Sequence, residues 1–128
     1  MRVSEIMIGS VAAGRPDESL ESARDRMEAG DIRHLPIVDE GGGLIGMVSD
    51  RDLLRARAFR PPPTLVSEIM AKHVQAIGPG APAAEAAQLM LDFKIDAVPV
   101  VDEGKLVGIV TATDFLSLAC RFLRLQGQ

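Results

Sequence analysis

Apolar and polar residues follow one order along this chain, and they follow it twice. Leu20, Ala23 and Met27 recur at helical spacing with charged residues between them, which predicts an amphipathic helix. The run His34-Leu35-Pro36-Ile37-Val38-Asp39 is short, rich in β-branched residues and bounded by turn signals, as in a buried strand. Glu40-Gly41-Gly42-Gly43 then predicts a tight turn, and Leu44-Ile45-Gly46-Met47-Val48 a returning strand. Strand, glycine turn and strand together predict a β-hairpin. A second helix begins near Asp50.

The same order returns in the second half. Pro82 suits a first helical turn, and Ala83, Ala86, Ala87, Met90 and Leu91 share an apolar face. Ala97-Val98-Pro99-Val100-Val101-Asp102, the turn Glu103-Gly104-Lys105 and Leu106-Val107-Gly108-Ile109-Val110 predict the second hairpin. A last helix begins near Ala112, with Leu116, Ala119, Cys120 and Leu123 on one stripe. Ahead of each first helix stand a short helical turn (Ser4–Met7; Ser67–Met70) and a brief extended segment (Ser10–Ala13; Val74–Ile77). Pro16-Asp17 and Pro79-Gly80 then mark turns. The order per half is β-α-β-β-α, an α+β class.

Residue identity says the same. Val3-Ser4-Glu5-Ile6-Met7 recurs unchanged 63 positions later as Val66-Ser67-Glu68-Ile69-Met70. Pro16 answers to Pro79, Met27 to Met90 and Pro36 to Pro99; past the turn, Gly46 answers to Gly108 and Asp52 to Asp114. Residues 1–60 form one repeat, 61–65 a Pro-rich linker that should be stiff, and 66–128 a second repeat. A unit of roughly 60 residues buries little of its own surface, so the two are expected to form one compact module. Met7, Met27, Met47, Met70 and Met90 recur by duplication and read as core filling. Phe59, Phe93, Phe115 and Phe122 read as core or interface.

Composition narrows the function classes. Of 128 residues, 47% are hydrophobic and 25% charged, the balance of a soluble globular protein. No apolar run approaches the ~20 residues that span a bilayer, and an acid stands where a signal peptide would turn apolar, so a cytoplasmic location is expected. The net charge of −4 and the absence of Trp and Tyr argue against nucleic acid as a partner. The single cysteine, Cys120, excludes an internal disulfide, and no zinc-ligand spacing is present. It reads as core or interface rather than as a reactive thiol. Asp50 and Asp52 diverge at a helix start with no base or nucleophile assigned beside them, so an enzyme is not expected.

The most suggestive chemistry lies at two strand ends, Ser49-Asp50-Arg51-Asp52 and Thr111-Ala112-Thr113-Asp114. In each, a hydroxyl residue ends a strand and a carboxylate follows three positions later on the first turn of a helix. A carboxylate so placed can accept two hydrogen bonds from a ribose diol, and the hydroxyl and helix amides can hold phosphate oxygens. Ser/Thr-x-x-Asp is equally a capping box, which closes a helix start without any ligand. Both copies need their helices capped.

The lead-in Ser-Glu-Ile-Met, the strands Leu-Pro-Ile-Val-Asp and Val-Pro-Val-Val-Asp, and the Gly-x-Val-Ser/Thr-x-x-Asp ends occur in order, twice. In these, from Val3 to about Leu118, the chain resembles a tandem pair of cystathionine β-synthase (CBS) domains, a Bateman module. The resemblance implies two pseudo-symmetric β-α-β-β-α repeats packed through their sheets, with adenosyl ligands taken in clefts between them. The ligand would be AMP, ADP or ATP, with S-adenosylmethionine or NAD as further possibilities. Carried over, Asp52 and Asp114 hold the ribose, and Ser49 and Thr111 the ribose–phosphate side. Arg33, His34 and Arg51 would add phosphate contacts. Val11, Leu35, Pro36, Val74, Val98 and Pro99 would wall the adenine.

The copies differ: Asp96-Ala97 and Thr113 stand where the first copy has Arg33-His34 and Arg51. Many family members carry Thr on the first strand, where this chain has Ala13 and Ala76, and Gly14 stands where an apolar wall residue is usual. The resemblance implies a regulatory module that passes ligand binding to a partner, as a homodimer or on an unidentified regulated protein. The alternative is a ligand-free dimerisation or interaction module whose Ser/Thr-x-x-Asp ends only cap helices.

Overall fold

The computed structural model describes residues 1–127. Its elements are α1 (Leu20–Gly30), β1 (His34–Val38), β2 (Leu44–Ser49), α2 (Asp50–Ala56), α3 (Ala83–Phe93), β3 (Ala97–Asp102), β4 (Lys105–Thr111) and α4 (Ala112–Leu125). Short 3₁₀ turns at Val3–Glu5 and Val66–Glu68 precede each half. β1 pairs with β2, and β3 with β4, each as a two-stranded sheet. This is the α+β arrangement that the periodicities predict.

The chain groups into two compact units whose limits are not those of the repeats. Unit 1 is Met1–Val11 with Gln75–Asp102 and the chain from Val107 onward; unit 2 is Ala12–Val74 with Glu103–Leu106. The lead-in segments have therefore changed places. In unit 1 the Val3 amide donates to Ala81 O (2.9 Å) and the Ser4 amide to Pro79 O (2.9 Å). In unit 2 the same bonds run from Val66 to Glu18 O (2.9 Å) and from Ser67 to Pro16 O (2.9 Å).

Each unit has its own apolar core. Leu20, Ala23, Met27, Leu35, Ile37, Val48, Leu53, Ala56 and Val66 form that of unit 2. Val3, Ile77, Ala86, Met90, Val98, Val100 and Val110 form that of unit 1. Val3 and Val66 are fully buried, so each lead-in contributes a core side chain and not merely a tether.

Each lead-in also completes a sheet. Ile8 exchanges both backbone hydrogen bonds with Ile109 (2.9 and 3.1 Å), and Ala71 does so with Met47 (2.9 and 3.0 Å). This close approach requires glycine in the adjoining strand. A Cβ on Gly108 would lie 2.6 Å from Met7 Sδ and 3.0 Å from Ile8 O, and one on Gly46 would lie 2.7 Å from Met70 Sδ and 2.9 Å from Ala71 O.

The expected first strands do not form: Ser10–Ala13 is not a strand and the next residue, Gly14, makes a single parallel bridge to Ile37, while Val74–Ile77 is reduced to the bridge from Ile77 to Val100. Proline explains the limit. The Gly14 amide donates to Pro36 O (2.8 Å) and the Val38 amide to Gly14 O (3.0 Å). Extending this parallel ladder would need N–H groups at residues 16 and 36, and both are proline. Pro79 and Pro99 impose the same limit around Ile77.

The hairpin turns follow their glycines. Glu103 and Gly104 both have positive φ (50° and 79°), the two-residue geometry that matches strand twist. In the longer turn, Asp39 Oδ1 accepts the Gly41 and Gly43 amides at 3.0 and 2.9 Å.

Of the core and interface roles expected for the aromatic residues and the last helix, the core role holds for few of them. Phe59, Phe93 and Phe122 are exposed, as are Leu116 and Leu123, and Cys120 is exposed too. Phe115 alone of the four packs against a core cluster. α4 buries no residue fully. Met27, Met47 and Met90 are buried, and Met7 and Met70 pack against the cores from their edges.

Candidate functional site

Both strand ends adopt the geometry that their spacing predicts. In unit 2, β2 delivers Ser49 in extended conformation as the N-cap of α2. Ser49 Oγ accepts the Asp52 amide at 3.1 Å, and Asp52 Oδ2 accepts the Ser49 amide at 2.8 Å. That is a complete capping box. In unit 1, Asp114 Oδ2 accepts the Thr111 amide at 2.8 Å and the Thr111 hydroxyl at 3.2 Å.

Capping does not exhaust these groups. Each carboxylate uses Oδ2 alone, and Oδ1 of Asp52 and of Asp114 takes part in none of these bonds. Both carboxylates are half-buried, so each retains an acceptor toward an incoming donor. The hydroxyls differ. Ser49 accepts, and keeps its proton for an anion; Thr111 spends its proton on Asp114.

The hairpin register sets His34 opposite Ser49 and Leu35 opposite Val48. The Asp50 amide donates to Arg33 O at 3.0 Å, which ties the start of α2 to the residue before β1. Arg33, His34 and Arg51 are thus brought to the Ser49–Asp52 end, with Arg33 and Arg51 exposed and His34 half-buried. In unit 1 the Ala112 amide donates to Asp96 O at 2.9 Å, so Asp96, Ala97 and Thr113 stand at the matching places. At these matched positions one end carries arginine and the other does not.

Leu35, Pro36, Val98 and Pro99 are fully buried, and Leu35 and Val98 sit within the two cores. What they offer a ligand directly is the backbone of their strand. Val11 groups with unit 1 and Val74 with unit 2, and both are half-buried. Each therefore belongs to the unit that holds the other repeat's aspartate, Asp114 for Val11 and Asp52 for Val74.

Asp114 also lines a cleft of about 230 Å³ with Met1, Glu5, Ile6, Ser117, Leu118 and Arg121. This lies below the ~300 Å³ where ordinary small-molecule pockets begin, and is too small to enclose a whole nucleotide. Glu5 and Arg121 were not expected here. Glu5 arrives through the exchanged lead-in, and Arg121 has Phe59 at its counterpart, so repetition gives no sign of it. In unit 2 a groove of about 420 Å³ runs between α1 and α2, where Arg24, Arg33 and Arg57 meet Glu28, Asp31 and Asp50. Neither Ser49 nor Asp52 lines it. Among the described residues, no cluster of three or more His, Cys, Asp or Glu is placed to hold a metal ion. Among the same residues, no helix is long and apolar enough to cross a membrane.

A family model for the CBS domain matches twice, over residues 3–58 and 66–120. The chain belongs to the CBS domain family. The CBS domain-containing protein YhcV of Bacillus subtilis is 35% identical over 114 residues, 88% of this chain and 81% of YhcV. An inosine-5′-monophosphate dehydrogenase of Korarchaeum cryptofilum is 37% identical over 114 residues, but the match spans only 23% of that enzyme. The CBS pair thus occurs both as most of a protein and as a small part of one.

Solved CBS pairs superpose closely. That of MJ0100, in complex with 5′-methylthioadenosine and S-adenosylmethionine, has a TM-score of 0.87 at 32% identity, covering 92% of this chain and 98% of that one. CBSX2 in complex with AMP gives 0.86 at 26%, covering 94% and 97%. The cytosolic domain of the Mg²⁺ channel MgtE in complex with ATP gives 0.79 at 35%, covering 91% and 48%. These similar CBS pairs share one ligand class, the adenosine group.

Proposed function

We propose that this CBS pair is a regulatory module that binds an adenosine ligand of the AMP, ADP or ATP class at its hydroxyl-x-x-Asp ends. Binding would be reported as a conformational change to a partner, either a second copy of the chain or a regulated protein. The observation that carries this reading is the uncommitted Oδ1 on both Asp52 and Asp114 beside capped helix starts. A ribose diol needs such an acceptor, and a charge-assisted hydrogen bond there contributes about 1.5–3 kcal/mol. The adenosine ligands of the three similar CBS pairs support the same class.

The module acts in this reading by differential affinity, not by catalysis: ligand favours one arrangement of the chain over another. The test is direct. Titration with AMP, ATP and S-adenosylmethionine, followed by thermal melting, should raise the midpoint for at least one ligand. Saturation at 100 times Kd corresponds to about 2.7 kcal/mol. A chain that shows no shift and no heat with any of the three would sink the proposal. It would favour the second reading, an interaction module in which both ends serve only as caps. The exposed Leu116, Phe122, Leu123 and Leu125 of α4 speak for that second reading. Because the chain has no Trp or Tyr, nucleotide retained through purification would dominate its near-ultraviolet absorbance.

A further inference from the structure

Gly14 marks a place where the two repeats solve one problem differently. Its counterpart Ile77 is buried in the core of unit 1 and secures its own bridge to β3 by packing. Gly14 has no side chain to do this, and the space for one is tight. A Cβ there would lie 3.0 Å from Leu35 Cδ2, 3.0 Å from Ile37 Cδ1 and 3.1 Å from Glu18 Oε1.

Two charged residues fill the role instead. The Arg26 guanidinium donates to Ala13 O at 2.7 Å and pairs with Glu18 at 3.1 Å. Glu18 is nearly enclosed, its side chain 8% exposed. It also accepts the Ser22 hydroxyl at 2.8 Å and the Arg15 amide at 3.3 Å. In the second repeat, Glu18 and Arg26 become Ala81 and Leu89, which pack against the unit 1 core. Two ionic positions and a glycine thus change together to apolar residues.

We propose that Glu18 and Arg26 are positioning residues for the Ser49–Asp52 end: their ion pair holds Ala13 to α1 and so steadies the Gly14 bridge to β1, where Ile77 is steadied by packing. The path is short: Gly14 is bonded to Pro36, and the neighbouring His34 and Leu35 face Ser49 and Val48 across the hairpin. Binding at this end then depends on ionic strength through the clamp. Arg26 is 45% exposed, so salt reaches and screens the pair. The Thr111–Asp114 end has no such dependence. This inference rests on the adenosine-binding reading above.

Amide hydrogen exchange on the intact chain tests the clamp without any ligand. In Arg26→Gln, and in Glu18→Gln, which keeps an acceptor oxygen but no charge, the Gly14 and Val38 amides should exchange about tenfold faster. The Ile77 and Val101 amides should not change. Added salt should speed the first pair in the unsubstituted protein and not in the variants. AMP titration then separates the ends. In an Asp114→Ala background, Arg26→Gln should weaken AMP about tenfold; in an Asp52→Ala background it should change nothing. Unaltered exchange at Gly14 and Val38 in both variants overturns the clamp. Altered exchange with AMP affinity unmoved overturns its link to the site. No binding of AMP, ATP or S-adenosylmethionine by the unsubstituted chain overturns the adenosine reading itself, and the positioning role with it.

Discussion

Asp114 Oδ2 accepts both the amide and the hydroxyl of Thr111, at 2.8 and 3.2 Å, whereas the Ser49 hydroxyl accepts from the Asp52 amide at 3.1 Å. Ser-x-x-Asp and Thr-x-x-Asp at the same spacing therefore present different faces. One hydroxyl is consumed as a donor, and the other remains able to donate. In both, the carboxylate that caps the helix also keeps an oxygen for a ligand, so capping and binding are not exclusive roles for it.

That double role makes substitution at Asp114 separable. Asp114→Ala should lose the cap, about 1 kcal/mol of stability, and also the ribose acceptor, weakening AMP by a factor of about ten to a hundred and fifty. Asp114→Asn keeps an oxygen for the Thr111 amide, so its melting midpoint should stay near that of the unsubstituted chain while AMP binding still falls. Parallel melts and calorimetric titrations check this. Equal AMP affinity in Asp114→Asn and the unsubstituted chain would mean that the cap is the residue's whole task.

The arginines at the Ser49–Asp52 end lead to a second expectation. Arg33, His34 and Arg51 gather where Ser49 keeps a free proton, and Asp96, Ala97 and Thr113 stand at the other end. Replacing Arg33→Asp and Arg51→Thr, the second copy's own residues, should weaken ATP at the Ser49–Asp52 end much more than adenosine. The loss should shrink as salt rises. Titration of ATP and adenosine at two salt concentrations decides it; equal losses for both ligands would remove phosphate from the argument.

The hairpins and helices were legible because each half-buried face writes its period into the chain. Pro16 and Pro36 even carry the reason that the first strand is one bridge long, although that takes the pairing partner to see. The exchange of lead-ins was not legible. Val3-Ser4-Glu5-Ile6-Met7 and Val66-Ser67-Glu68-Ile69-Met70 are identical, so nothing in either says which half it docks on. The cleft of Glu5 and Arg121 with Asp114 was hidden for the same reason. The Glu18–Arg26 clamp was hidden by its chemistry: charges at helical spacing look like a solvated face until one of them proves enclosed.

Gly108 should be intolerant of any side chain. A Cβ would meet Met7 Sδ at 2.6 Å and Ile8 O at 3.0 Å, and the second is backbone that cannot swing aside. Gly108→Ala should cost about 1–3 kcal/mol, read from denaturant midpoints. Removing the sulfur with Met7→Ala in the same chain should recover only part, because the Ile8 carbonyl remains. A neutral Gly108→Ala would mean that the lead-in sits further from β4 than the bridge between Ile8 and Ile109 requires.

Lys94 ends α3 in the left-handed region, at φ 54°. A side chain there costs about 1–2 kcal/mol, and glycine returns about 0.5–1 kcal/mol of that as unfolded-chain entropy. Lys94→Gly should therefore stabilise the chain by about 0.5–1 kcal/mol, seen as a higher melting midpoint with AMP affinity unchanged. A lower midpoint would show that the Lys94 side chain makes a contribution larger than its backbone strain.

Val3 offers the sharpest test of the exchange. It belongs to the first repeat by sequence, yet it is fully buried among Ile77, Val98, Val100 and Val110 of the second. Val3→Ala removes two buried methyl groups, worth about 2 kcal/mol. The loss should appear first as faster amide exchange in α3, β3 and β4, since sub-global opening follows the packing and not the chain order. Val66→Ala should do the reverse and loosen α1, β1 and β2. If Val3→Ala instead loosened α1 and β1, each lead-in would dock on its own repeat, and the requirement for glycine at 46 and 108 would need another cause.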